Sequence, residues 1–227
     1  METIAERLKS ALATIKQSTL KANRPLNSVK LLAVSKTKPV SDIVQAYEAG
    51  QRLFGENYVQ EGVEKVLALK SYDDIEWHFI GPLQSNKTRL VAEHFDWMHT
   101  VDRLKIAQRL NDQRSAHKYL NVCIQVNIDD DQNKSGVSPD QLAPLALAIQ
   151  KMPNLVLRGL MTIPTANQEI SKQLSSFAKM AELFNQLKAV YPSVDTLSMG
   201  MSGDMPQAIT CGSTMVRIGT GIFGHRK

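Results

Sequence analysis

The feature that most constrains the fold is an alternation that repeats along the whole chain. Short aliphatic runs at 29–34, 52–55, 75–80, 95–100, 119–128, 155–163, 196–199 and 215–218 are each followed by a turn or a segment with helical spacing. Runs of this kind read as strands covered by helices on both faces, as in parallel sheets. The intervening helical segments fall at 41–50, 58–69, 84–93, 103–114, 138–151, 168–190 and 203–211. Strand–helix alternation argues for a parallel α/β sheet. Eight such runs predict closure into a (β/α)8 TIM-type barrel. An open doubly wound sheet is the alternative, but the first strand-to-helix turn, Ser35–Val40, lacks a glycine-rich fingerprint.

The remaining stretches fit around that frame. Residues 2–21 place Ile4, Leu8, Ala11, Leu12 and Ile15 on one face of an extra N-terminal helix, which Asn23, Pro25 and Asn27 end. Asp102 and Ser202 are expected to cap the helices that follow them. The run at 119–128 is expected to be the longest strand. No linker or composition break divides the chain, and 227 residues with 43% hydrophobic content support one core. A single domain over 1–227 is therefore expected.

Composition excludes several classes of function. The net charge of +5 comes from cations scattered among acids, with no basic run interleaved with aromatics. Nucleic-acid binding is therefore not expected. No apolar stretch is long enough to span a membrane, and the N-terminus lacks an apolar signal core. Cys123 and Cys211 form no disulfide or metal-binding spacing. These features predict a cytoplasmic protein without metal ligands.

Chemistry in such barrels collects at the carboxyl ends of the strands. Those ends carry Lys36, Asn57, His78, His99, Asn127, Thr162, Ser198 and Arg217. Lys36 closes the run Val29–Lys36, where an amine held against apolar surroundings becomes a nucleophile toward aldehydes. Ser198–Gly203 reads Ser-Met-Gly-Met-Ser-Gly, and such a turn leaves backbone N–H groups available to an anion. Gly219, Thr220 and Gly221 add a second half to that cradle. Arg217 alternates with Val216 and Ile218 and is expected to point into the barrel. A guanidinium there needs an acceptor, either a barrel carboxylate or a ligand. An aldehyde with a phosphate and a ring nitrogen satisfies all three features, and pyridoxal 5′-phosphate (PLP) is such a molecule.

The motifs LLAVSKTKP, FGENYVQE, WHFIGPLQSNK, NKSGV, GLMTIP, SMGMSGDMPQAI and GSTMVRIGTGIFG run from Leu31 to Gly224. Together they resemble the YggS/PROSC-type pyridoxal phosphate homeostasis family, whose barrel is similar to the N-terminal domain of alanine racemase. The resemblance implies the PLP fold type III. It implies a Schiff base between PLP and Lys36. It also implies phosphate contacts at Met201, Ser202, Gly219 and Thr220, a ring-nitrogen contact from Arg217, and Asn57 at the cofactor mouth. His78 and Met161 are read as core residues, and Lys38 and Lys134 as solvated lysines with a possible secondary role toward PLP.

The resemblance also implies a carrier or buffer of PLP, with no catalysis expected. An arginine at the ring nitrogen disfavours its protonation and weakens the electron sink. Alanine racemases add a C-terminal domain over the site, whereas here the chain stops soon after the last strand, so an open mouth is expected. A PLP-dependent amino-acid racemase is the alternative. A Schiff-base aldolase acting on a phosphorylated sugar is a third reading, which leaves Arg217 without its ring nitrogen. Expected partners are PLP and apo PLP-dependent enzymes that receive it. The expected state is a monomer, with a dimer through the first helix as the alternative.

Overall fold

A computed structural model of the chain describes residues 2–116, 118–165 and 169–225. Eight parallel strands close into one barrel in sequence order. They are β1 (Lys30–Val34), β2 (Leu53–Glu56), β3 (Glu76–Phe79), β4 (Trp97–Val101), β5 (Leu120–Gln125), β6 (Leu155–Met161), β7 (Thr196–Ser198) and β8 (Met215–Ile218). The closing pair joins β1 to β8, with Leu32 opposite Arg217. The chain is thus a (β/α)8 barrel, and the open-sheet alternative does not hold.

The helices are α1 (Ile4–Lys21), α2 (Val40–Glu48), α3 (Val59–Ala68), α4 (Thr88–His94), α5 (Leu104–Gln113), α6 (Pro139–Gln150), α7 (Ile170–Val190), α8 (Met205–Thr210) and α9 (Thr220–Phe223). The core divides by strand alternation. Leu31, Ala33, Val216 and Ile218 join the large apolar layer between sheet and helices. Leu32, Met215 and Ile80 form one small cluster inside the barrel, and Trp97, Cys123 and Met161 form another. Arg217 lies between two outward residues of β8, so it points inward as alternation requires.

Helix α1 packs beside the barrel against α2, α8 and α9. A capping box starts it: the Thr3 hydroxyl accepts from the Glu6 N–H, and the Glu6 carboxylate accepts from the Thr3 N–H. Ile4, Leu8 and Ile15 are buried, whereas Leu12 of the same stripe remains exposed. Arg7 donates to the Ile222 carbonyl at 2.6 Å, and Arg24 donates to the carbonyls of Ile209 and Ser213 at 2.7 and 2.8 Å. These charge-assisted bonds tie α1 and the turn after it to the last two βα units.

Three local expectations are corrected. Arg103, not Asp102, occupies the N-cap of α5 with extended backbone, and Asp102 pairs with the Arg103 guanidinium instead. Asp204, not Ser202, precedes α8, and its carboxylate accepts the Met201 N–H at 2.6 Å. The longest strand is β6, at 7 residues against 6 for β5. Beyond Gln125, Val126 still donates to the Met161 carbonyl at 2.9 Å and forms an isolated bridge with Val137, where the polar loop begins. Gln168, the expected first residue of the helix before β7, lies outside the described residues.

Candidate functional site

Lys36 follows β1 in a loop gripped on both sides. The Ser35 hydroxyl donates to Glu56 at 2.5 Å, and the Lys65 ammonium donates to the Ser35 carbonyl at 2.7 Å. Lys65 also pairs with Glu56 at 2.9 Å and Glu61 at 2.6 Å. Glu61 in turn accepts the Thr37 N–H at 2.6 Å. Thr37 sits at φ +62°, a conformation costly for a β-branched residue, so its neighbours must hold it. Burial pushes the Glu56 carboxyl up, against the opposing pull of Lys65. The residues on either side of Lys36 are therefore fixed by a buried ionic cluster supplied by β2 and α3.

Two turns complete the rim. Residues 199–204 link β7 to α8, and Gly219 links β8 to Thr220, the first residue of α9. A side chain at Gly221 would meet Ser202 Oγ at 3.5 Å, so the two turns lie side by side. On the far side, a Cβ at Gly81 would come within 2.0 Å of the Asn57 carbonyl. That close approach lets the turn after β3 pack directly under Asn57.

Lys36, Asn57, Met201, Ser202, Arg217, Gly219 and Thr220 all line one cavity of about 340 Å³ at the carboxyl ends of the strands. Val34, Ile80, Ile163 and Gly203 complete its walls, and of these the sequence pointed only to Gly203, as the end of the Ser198–Gly203 turn. Their signal was present, because Val34 and Ile80 share the inward register of Leu32. Two larger grooves, of about 490 and 480 Å³, lie between α5 and α6, and none of those seven residues lines either.

Arg217 is buried at the base of the cavity. It donates to Ser198 Oγ at 2.8 Å and to the Thr162 carbonyl at 2.9 Å. No carboxylate makes a salt bridge with it among the described residues. Burial pushes the Arg217 guanidinium down to about 10, with Asp204 opposing.

His78 and His99 belong to the barrel interior rather than to the cavity wall, and both are fully buried. Met161 packs beneath the cavity against Trp97 and Cys123, as a core methionine. Asn127 braces the polar loop by donating to the Asp131 carbonyl at 2.9 Å. Lys38 and Lys134 are half-buried rather than fully solvated. Their ammonium groups donate to the carbonyls of His225 and Ile163, at 2.9 Å each.

Three features of the cavity bear on its fit to PLP. Asn57 Oδ1 is a buried acceptor with no hydrogen-bond partner, at a residue of the cavity wall. The N–H groups of Ser202 and Gly203 meet no acceptor among the described residues. A Cβ at Gly219 would sit 3.2 Å from the Val34 carbonyl, so that turn must remain glycine-close to β1. One amine, one guanidinium and spare backbone donors around a small cavity fit a phosphorylated aromatic aldehyde.

Fold and site together define the class. The model of the family described as alanine racemase, N-terminal domain, matches residues 8–227. The pyridoxal phosphate homeostasis protein of Haemophilus influenzae is 64% identical over 208 residues, covering 90% of this chain and 88% of that one. That of Escherichia coli K12 is 55% identical over 229 residues, covering 100% and 98%. Among solved structures, PipY of Synechococcus elongatus with PLP bound superposes with a TM-score of 0.83 at 37% identity, covering 98% and 100%. The chain belongs to the pyridoxal phosphate homeostasis family.

Proposed function

We propose that this chain binds PLP in the 340 Å³ cavity and serves in PLP homeostasis. It holds the cofactor as a reversible Schiff base on Lys36, for buffering or delivery. The observation that carries the reading is the convergence of Lys36, Arg217 and the two glycine-bearing turns on one cavity. The PLP-bound relative of the same fold supports it.

The residues take distinct roles. Lys36 presents its amine to the aldehyde. Ser202, Gly219 and Thr220, with the backbone of Met201, face the phosphate. Arg217 faces the ring nitrogen, and Asn57 offers its buried acceptor at the mouth. When bound, PLP supplies a reactive aldehyde and an electron-withdrawing ring. A fixed guanidinium beside the ring nitrogen disfavours a second positive charge there, which weakens the sink.

The reading is therefore a carrier without catalytic turnover, formed by one barrel domain over 1–227. Apo PLP-dependent enzymes are its acceptors, and it acts as a cytoplasmic monomer. The free thiols of Cys123 and Cys211 support a reducing compartment. No helix among the described residues is long and apolar enough to cross a membrane.

Borohydride reduction of PLP-loaded protein, followed by peptide mass analysis, tests the site. One label on Lys36 is expected, and the Lys36→Ala variant should lose it. A label of equal yield on Lys38 or Lys134 in that variant would overturn the assignment. Incubation with L-amino acids should give no turnover. Racemisation abolished by Lys36→Ala would instead make the protein an enzyme.

A further inference from the structure

Beneath the cofactor cavity the barrel interior holds a polar string of which only the last member, Arg217, lines that cavity. His78 on β3 places Nε2 2.9 Å from Glu76 Oε1 and Nδ1 2.8 Å from His99 Nε2. His99 on β4 places Nδ1 3.1 Å from Ser198 Oγ on β7. Ser198 Oγ accepts from Arg217 on β8 at 2.8 Å. The string crosses from the β3–β4 side of the barrel to the β7–β8 side. It begins at Glu76, the first residue of β3, hence at the mouth opposite the cofactor cavity. Glu76 is 39% exposed in its side chain, whereas both histidines are fully buried.

Donor and acceptor chemistry fixes the direction of every link. Arg217 can only donate, so Ser198 Oγ must accept from it. A Glu76 carboxylate can only accept, so His78 must carry its proton on Nε2. A neutral His78 then accepts at Nδ1, which requires the proton of His99 on Nε2. The remaining nitrogen, His99 Nδ1, accepts the Ser198 hydroxyl. All four links run the same way, from the arginine to the carboxylate, with both rings neutral. Two fully buried rings are costly to charge, which agrees with that assignment. Burial lowers the pKa of His78 against the pull of Glu76, and lowers that of His99 well below the usual range, aided by His78 and Arg217. Burial pushes the Glu76 carboxyl up, and the hydrogen bond from His78 and the positive charges of Lys30 and Arg158 pull it down. The other charged groups that face the rings are Asp96 at the foot of β4 and Lys30 on β1.

We propose that Glu76, His78, His99 and Ser198 form one polarised hydrogen-bonded chain that positions the Arg217 guanidinium at the base of the cofactor cavity, with Glu76 as its remote acceptor. These four are positioning residues that act through Arg217. The chain explains how an arginine without a carboxylate partner is held inside a barrel. Its Nη1 is fixed by Ser198 and its Nη2 by the Thr162 carbonyl, which sets the plane of the guanidinium. Stacking of His78 on Trp97, at 5.1 Å and 15°, restrains the ring through which the chain passes. The proposal rests on the reading that Arg217 faces the ring of bound PLP.

Imidazole nitrogen NMR on the protein without added PLP tests the chain independently of that reading. His78 and His99 should both carry the proton on Nε2 and should not titrate between about pH 6 and 8, where an ordinary histidine does. A proton on Nδ1 of either ring, or titration of either near the usual value, would overturn the proposal. A second test uses the remote end. Glu76→Leu should weaken PLP binding about fivefold or more, the scale of one lost hydrogen bond. Glu76→Gln keeps an acceptor oxygen and should remain within about twofold of the parent. If Glu76→Leu binds PLP as the parent does, the chain does not position Arg217, although the cofactor reading stands. If the parent itself binds no PLP, the cofactor reading fails, and the NMR result alone decides whether the chain exists.

Discussion

Lys65 reaches out of α3 to three oxygens, those of Ser35, Glu56 and Glu61, and none of these belongs to the cofactor cavity. Its work is to hold the backbone around Lys36. Replacing it removes the cation but leaves the Glu56 carboxylate buried, and breaking a buried pair from one side costs about 3–5 kcal/mol. Lys65→Met should therefore lower the unfolding free energy by about 3 kcal/mol, read by urea denaturation. Lys65→Met with Glu56→Gln should recover part of that loss, because no uncompensated charge remains. The single variant should also slow the labelling of Lys36 by PLP. Full stability in Lys65→Met would mean that the cluster is not what holds the loop. None of this could be read from the sequence, where Lys65 is one more lysine on an amphipathic helix.

At the scale of elements, β6 shows how one residue sets the register of a barrel wall. Val122 pairs with Leu157, yet Cys123 pairs with Gly159, so Arg158 is the inserted residue of a bulge. Gly159 sits at φ +151°, and a Cβ there would fall 1.7 Å from the Thr196 carbonyl on β7. The bulge turns Arg158 toward the barrel foot, where it donates to Asn121 Oδ1 at 2.9 Å and pairs with Asp195. It also lies 4.8 Å from the centre of the Trp97 ring. Gly159→Ala forces both backbone strain and a clash, and should destabilise the fold by more than about 2 kcal/mol. A thermal midpoint within error of the parent would show that the β6–β7 pairing can shift to make room. The glycine was visible in the sequence, but the bulge was not. A run of seven apolar and polar residues reads as an unbroken strand until its partner is known.

Across the whole molecule, the two buried histidines predict how stability responds to pH. Their folded-state pKa values are lowered, so below about pH 6.5 the unfolded chain binds more protons than the folded one. Stability is then present above about pH 6.5 and is lost as pH falls below it, by up to ~1.4 kcal/mol per pH unit for each histidine. Glu56 acts in the opposite direction, because its raised folded-state pKa favours the folded state as pH falls toward the ordinary glutamate value. Two groups oppose one, so the urea midpoint should fall from about pH 6.5 to 5. A midpoint that holds steady or rises across that window would mean that the histidines are charged in the folded state.

The sequence by itself determined the barrel, the helix added before it, and seven of the residues that line the 340 Å³ cavity. Alternating aliphatic runs leave few other solutions for a chain of 227 residues. Period-two alternation is a local property, so the inward direction of Arg217 follows from its neighbours Val216 and Ile218. Lys36, Ser202 and Gly219 are legible for a related reason, since each stands where a strand runs out into a loop. The tertiary structure alone decided how those residues are held. Ser35 and Lys65 lie 30 positions apart, and His99 and Ser198 lie 99 apart. Nothing in either segment specifies its partner. Read locally, His78 is a core histidine and Glu76 a solvated acid. Closing β1 against β8 brings eight strands around one axis, and the low dielectric there makes an unpaired polar group costly. That closure turns four residues on three separate strands into a support for the arginine at the far mouth.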